Sequence, residues 1–183
     1  MVEVDRPALE IITRFLPSPR RQAHLQQNVR SLMKLESKDW VQTMLVDPYG
    51  RGLTAANARF ATVEPFGKKV WLLDDDDYCV CPQLIERLDP AADVQVFKIH
   101  HCTSGVIPWP ELWDSRQIKS GHVSTQSIIV SRDIWMEARH AWADHDHYES
   151  DFDYISRATS IAKNLVWTDV IIAKLDVIGH GAP

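Results

Sequence analysis

Four consecutive carboxylates, Asp74, Asp75, Asp76 and Asp77, follow directly on an apolar run at residues 69–73 (KVWLL). Crowded at the end of a buried strand they repel one another, and some must take up protons unless a cation sits among them. Carboxylate oxygens are the ligands that magnesium and manganese prefer, and such ions commonly keep positions open for phosphate oxygens. In an extended segment Asp74 and Asp76 would point one way and Asp75 and Asp77 the other, so one pair can face a ligand. Most charge runs are solvated turns. The apolar strand immediately ahead sets this one apart.

A second acidic cluster, Glu149, Asp151 and Asp153, opens a helical pattern over residues 148–162. At about 100° per residue Tyr148, Phe152, Ile155 and Thr159 form one stripe, and Asp151 lies about 40° from Ile155, at the edge of the buried face. A carboxylate there is partly desolvated, which raises its pKa and suits it to accept a proton near neutrality. The plainer alternative is that all three acids complement the helix dipole. His180, between Gly179 and Gly181, is the remaining metal-ligand type of interest, because flanking glycines let backbone come close to a ligand and neutral imidazole can bind manganese. Cys79-Val80-Cys81 with His100-His101-Cys102 lacks zinc spacing, and strand alternation would put the two histidines on opposite faces. Trp109 and Trp113, in IPWPELWDS, could stack on a sugar, with a packing role for one of them equally open. Residues 142–147 (WADHDH) read as a polar loop ahead of Asp151.

These residues need a scaffold. The 183 residues are 45% hydrophobic and 25% charged, enough apolar material for one core. A net charge of -5 and a pI near 5.9 argue against nucleic acid or an anionic membrane as the main partner. Diphosphates would have to be met by local cations. No run approaches a membrane span, MVEVDRPALE is too acidic for a secretory signal, and three cysteines make no disulfide framework, so a cytoplasmic protein is expected. Strands are predicted over residues 8–15, 41–46, 69–73, 94–99, 122–130 and within 165–178, and helices over 20–35, 54–63, 82–88, 133–141 and 148–162. Strand, helix, strand passages repeat through the first half, the signature of a parallel sheet that binds ligands at the carboxyl ends of its strands. The expected fold class is α/β: a three-layer α/β/α sandwich whose mostly parallel sheet gains a small antiparallel addition. No linker divides it, so residues 1–183 are read as one domain with a 1–90 half and a 91–183 half.

The segment VWLLDDDDYCVCPQLIERL resembles the metal-binding DxD segment of GT-A glycosyltransferases, particularly the family-2-like enzymes. IITRF and LVDPYGRGLTAAN resemble the first two nucleotide-binding strands and loops of that family, HVSTQSIIVSRDIW with YESDFDYI its acceptor-side strand and xED helix, and VIGHG its terminal metal-binding segment. The resemblance spans nearly the whole chain. It implies a Rossmann-like GT-A domain that takes a nucleoside-diphosphate sugar, a UDP-sugar rather than a GDP-sugar, and a saccharide or other hydroxyl acceptor, with Mn2+ or Mg2+ as cofactor. It assigns Thr13, Arg14, Asp47, Arg51, Asn57, Asp74 and Asp75 to the donor, with Asp74 near the ribose or the metal. Asp76 and His180 become metal ligands, and Asp151 the base of an inverting transfer. The sequence reads ESD where the family has an adjacent Glu-Asp pair, which leaves Glu149 as an alternative base. A sugar nucleotidyltransferase would carry a Gly-rich phosphate loop, and TRFLPSPRR has no glycine. A non-catalytic cation- or carbohydrate-binding module is the third reading.

Overall fold

In a computed structural model, residues 5–47, 49, 53–142 and 150–176 are described. The apolar run after Ala8 forms β1 (Leu9–Phe15), and Ser18, whose Oγ accepts from the Arg21 N–H, caps α1 (Pro19–Leu32), with proline at its first position. Then come β2 (Trp40–Val46), α2 (Leu53–Thr62), β3 (Lys69–Leu72) and the two-residue β4 (Tyr78–Cys79). The second half holds β5 (Val94–His101), β6 (Gly105–Ile107), α3 (Pro110–Asp114), β7 (Ile128–Ser131), α4 (Arg132–Ala138), α5 (Ser150–Ile161) and β8 (Leu165–Lys174).

Among the described residues all eight strands belong to one sheet in the order β2-β1-β3-β7-β5-β8-β4, with β6 paired to β5. β1 pairs in parallel with β2 and β3, and β5 with β8, whereas β7, β4 and β6 run against their neighbours. The antiparallel additions lie in the middle and at one edge of a sheet whose other strands share a direction. Both faces are covered. Leu9, Ile11, Trp71 and Leu73 pack with Leu32 and Leu35 on the α1 side. Ile12, Val70 and Leu72 pack with Phe60, Trp135, Tyr154 and Ile155, from α2, α4 and α5, on the other. This is the three-layer arrangement expected from strands that are apolar on both faces.

Two predicted elements differ. Residues 82–88 give only a 3-10 turn at Ile85–Arg87, because the apolar stretch is too short for a helix before Asp89-Pro90. Within residues 122–130 only the end pairs as strand. Thr125–Ser127 coils into a 3-10 turn, in which the Ser124 N–H donates to the Ser127 hydroxyl and the Ser127 N–H to the Ser124 carbonyl. Hydroxyl side chains that bond nearby backbone compete with a strand ladder, and here they prevail.

Candidate active site

Strand alternation sorts the polar residues at the carboxyl ends of β1 and β3 into two groups. Thr13 is in phase with Leu9 and Ile11 and faces α1, whereas Arg14 is in phase with Ile12 and faces α5. Asp74, two residues past Leu72, falls on the α5 side with Arg14.

The α1 side is a closed polar network. Thr13 is fully buried and its hydroxyl accepts from Gln42 Nε2 at 2.9 Å. The same amide donates to Asn28 Oδ1 at 2.9 Å, and buried Asn28 donates to the carbonyls of Asp74 at 3.0 Å and Asp77 at 2.9 Å. The Asp77 N–H closes the loop on the Asp74 carbonyl at 3.1 Å. The acidic run is therefore a tight turn gripped by one asparagine, and not the extended segment that simple alternation predicts. Its side chains diverge accordingly. Asp75 is wholly buried and meets Arg21 Nη1 of α1 at 2.6 Å, turned away from Asp74. The Thr13 hydroxyl and one Asp75 carboxylate oxygen are thus engaged on the α1 side, by Gln42 and Arg21.

On the α5 side, Arg14 Nη2 lies 3.2 Å from Asp74 Oδ2, both side chains about a third exposed. Gln126 Nε2, from the 3-10 turn ahead of β7, donates to the same oxygen at 3.3 Å. Asp151, in the first turn of α5, faces this pair. Although that residue is exposed, the protein around its carboxyl pushes it up to about 6, the charge on Asp74 adding to the rise and Arg14 opposing it. Arg14 is itself held charged, mainly by Asp74 and then by Asp151, against the cost of burial. Asn57 is buried on α2, and its Nδ2 donates to the Ser150 hydroxyl at 2.9 Å. It ties α2 to the start of α5 beside Asp151, so its side chain serves the base candidate's position. Asp47, 7% exposed at the end of β2, accepts from the Tyr49 N–H at 3.3 Å. Arg51, Glu149 and His180 lie outside the described residues.

The turn also holds the groups that could take a metal. Burial pushes the Asp75 carboxyl up to about 7, with Arg21 opposing and Asp76 and Asp74 adding. Asp76 is raised by burial and then by Asp74, and Asp77 is raised well above the usual carboxylate range by burial, Asp74 and Asp76. Asp75 Oδ2 and Asp76 Oδ2 are buried with no hydrogen-bond partner among the described residues. Orphaned carboxylate oxygens in a strained negative cluster suit a hard divalent cation. No three His, Cys, Asp or Glu side chains among the described residues converge on one point. The backbone of Asp176 hydrogen-bonds the Asp77 carboxylate, and the Tyr78 hydroxyl donates to Asp176 Oδ2 at 3.1 Å, so the chain after β8 runs beside the turn four residues before His180. Cys79 and Cys81 are buried thiols, Cys79 pushed up to about 11 by burial.

Asn28 and Gln126 are not singled out by any motif in the sequence. Asn28 left a trace, since it occupies a core position of the stripe Leu25, Asn28, Leu32, Leu35, where a polar residue must find buried partners. Gln126 left none.

No protein-family model matches the chain, and no curated protein matches it in sequence. Solved structures match its fold. TarS 1-349 of S. aureus in complex with UDP superposes at a TM-score of 0.63 and 12% identity over 92% of this chain. A glycosyltransferase involved in glycosylation of the major capsid of PBCV-1 superposes at 0.58 and 14% identity over 96% of it. The chain has the GT-A glycosyltransferase fold. The mannosyltransferase PcManGT from Pyrobaculum calidifontis, in complex with GDP-Man and Mn2+, superposes at 0.56 and 10% identity over 97%. This GT-A chain spans 60% of the TarS fragment and 59% of PcManGT, but 95% of the PBCV-1 enzyme. Among the described residues no helix is long and apolar enough to cross a membrane.

Proposed function

We propose that this chain is a metal-dependent glycosyltransferase that moves a sugar from a UDP-sugar to a hydroxyl acceptor with inversion. The observation that carries the reading is the meeting of Arg14, Asp74 and Asp151 on one side of the sheet, at the strand ends beside the orphaned oxygens of the acidic turn. The fold shared with TarS, whose structures hold UDP and UDP-GlcNAc, and with PcManGT, which holds GDP-Man and Mn2+, supports a nucleoside-diphosphate sugar as donor. Asp47 favours uracil, as an acceptor for the ring N–H.

Asp76 and His180 would hold the metal. Mn2+ or Mg2+, when bound there, neutralises charge developing on the departing diphosphate. Asp74, kept in place by Gln126 and Arg14, borders the ribose, while Arg14 and Arg51 supply local cations for a diphosphate in a protein that is negative overall. Asp151 takes the proton of an acceptor hydroxyl aligned behind the anomeric carbon, and in-line displacement inverts that centre. With its pKa near 6 it is mostly ionised at neutral pH yet more basic than an ordinary aspartate. Residues 1–90 then form the donor half and 91–183 the acceptor half of one domain, with Glu149 the alternative base.

Nucleotide release from a panel of UDP- and GDP-sugars, with manganese, magnesium or chelator, tests this. Release should need the metal, favour UDP-sugars and fail in Asp76→Ala. Turnover insensitive to chelator contradicts the mechanism, and manganese binding without any nucleotide binding would favour a non-catalytic module.

A further inference from the structure

The sheet ends differently on its two sides. One edge is the two-residue β4, beside which β8 carries Asp169 and Lys174. Short strands and charges are how proteins keep an edge from pairing. The other edge is β2, seven residues (WVQTMLV) with no charge, proline or glycine. Its register with β1 runs without a bulge from Leu9 opposite Trp40 to Phe15 opposite Val46. Among the described residues no strand lies beyond it.

The ends of the ladder between β1 and β2 show which backbone groups β2 leaves over. The Leu9 N–H donates to the Asp39 carbonyl and the Asp47 N–H to the Phe15 carbonyl, so the odd-numbered residues of β2 serve β1. Trp40, Gln42, Met44 and Val46 therefore aim N–H and carbonyl outward. Of these groups only the Val46 carbonyl has a partner among the described residues, Arg59 Nη1. Apolar side chains surround this open ladder: Val41, Met44 and Val46 are 38%, 46% and 41% exposed. Met44 lies opposite Thr13 and Val46 opposite Phe15, so both stand on the α1 side.

We propose that β2 pairs with β2 of a second copy, antiparallel across a two-fold axis at Thr43, so that two sheets become one. The occupant is a second copy because the strand is complementary to itself, which is what a two-fold contact requires. In this register Trp40 meets Val46, and Gln42 meets Met44, as hydrogen-bonded pairs that use every outward group, the Val46 carbonyl passing from Arg59 to the Trp40 N–H of the second copy. Thr43 meets Thr43, a favourable cross-strand pair. No like charges oppose each other within the strand. Opposite residues of an antiparallel pair share a face, so the exposed Met44 and Val46 of both copies gather on the α1 side of the joint. The described ends of the chain leave from elsewhere: Pro7 and Ala8 accept from Lys68 and Lys69 on the β3 side of β1, and Asp176 stands beside Tyr78 of β4. Strand ends point in opposite directions in the two copies, which leaves both candidate active sites open. The proposal stands independently of the glycosyltransferase reading.

Sedimentation of the chain at about 100 µM should give twice its mass of 20.9 kDa. Amide hydrogen exchange followed by NMR then reads the ladder itself. The outward N–H groups of Gln42 and Met44 should be as protected as the inward ones of Thr43 and Leu45, and should exchange at least about tenfold faster once dilution separates the copies. Met44→Lys places a charge on the edge as free edges carry it, and should sediment as a single chain with its circular dichroism unchanged. A single-chain mass in the unaltered protein, a dimer whose Gln42 and Met44 amides exchange freely, or a dimer that persists in Met44→Lys overturns the proposal. If that variant fails to fold, the exchange pattern of the unaltered protein decides alone.

Discussion

Replacing Asn28 with aspartate exchanges an amide for a hydroxyl or an oxide at the same size, so it opens no cavity. Asn28 is fully buried and its two N–H groups hold the Asp74 and Asp77 carbonyls at 3.0 and 2.9 Å. An ionised aspartate in its place supplies neither donor, and a protonated one supplies a single O–H. The Asp77 carbonyl, left without this donor, costs about 1–3 kcal/mol, whereas the Asp74 carbonyl keeps the Asp77 N–H and loses one bond worth about 0.5–1.5 kcal/mol, so together they cost about 1.5–4.5 kcal/mol. For a chain of this size each kcal/mol is worth about 2–4 °C, and a central loss of about 3 kcal/mol lowers the melting temperature by about 6–12 °C. The new carboxyl would be buried against the Asp74 and Asp77 carbonyls, which favours its protonated form and makes the loss smaller at acid pH. Thermal melts at pH 5 and pH 8, with calorimetric titration of UDP and manganese, measure both effects. A melting temperature within about 2 °C of the parent, together with unchanged ligand affinity, would refute the claim that this asparagine shapes the acidic turn.

Further expectations concern the base and its support. Transfer should fall about tenfold per pH unit below about 6 as Asp151 takes up its proton, a limb that a pH-rate profile of Asp151→Asn, with donor binding retained, should lack. Because its folded pKa is raised above the unfolded value, Asp151 favours the folded state below about pH 4 and that contribution is lost as pH rises through about 6. Melting curves across this window should be flatter in Asp151→Asn. If Glu149→Gln abolishes transfer and Asp151→Asn does not, the base is Glu149. Ser150→Ala removes the partner of Asn57, so kcat should fall several-fold with the KM for donor unchanged, and a fall confined to KM would contradict a positioning role.

The strands and long helices were legible because their apolar runs are long and bounded by Pro17, Pro19 and residues 47–50. The mutual placement of Arg14 and Asp74 follows from strand phase, once β1 and β3 are known to pair in parallel with Ile12 opposite Leu72. What the residue pattern could not supply was the direction of each aspartate, since four identical neighbours carry no periodicity and only the grip of Asn28 makes them a turn. Nor could it tell that Thr13 faces α1, because both faces of β1 are buried and its apolar run looks alike from either side. β4 is too short for any pattern. The Ser and Thr residues before Ile128 allow strand and turn alike, and only the Ser124 and Ser127 contacts decide between them.

The central claim is that a divalent ion is trapped between Asp76 and the diphosphate of an activated sugar. Anomalous scattering from crystals soaked with manganese and a UDP-sugar tests it directly. The account predicts a manganese peak in bonding contact with an Asp76 carboxylate oxygen and a phosphate oxygen; a donor bound with no metal at this turn would contradict it.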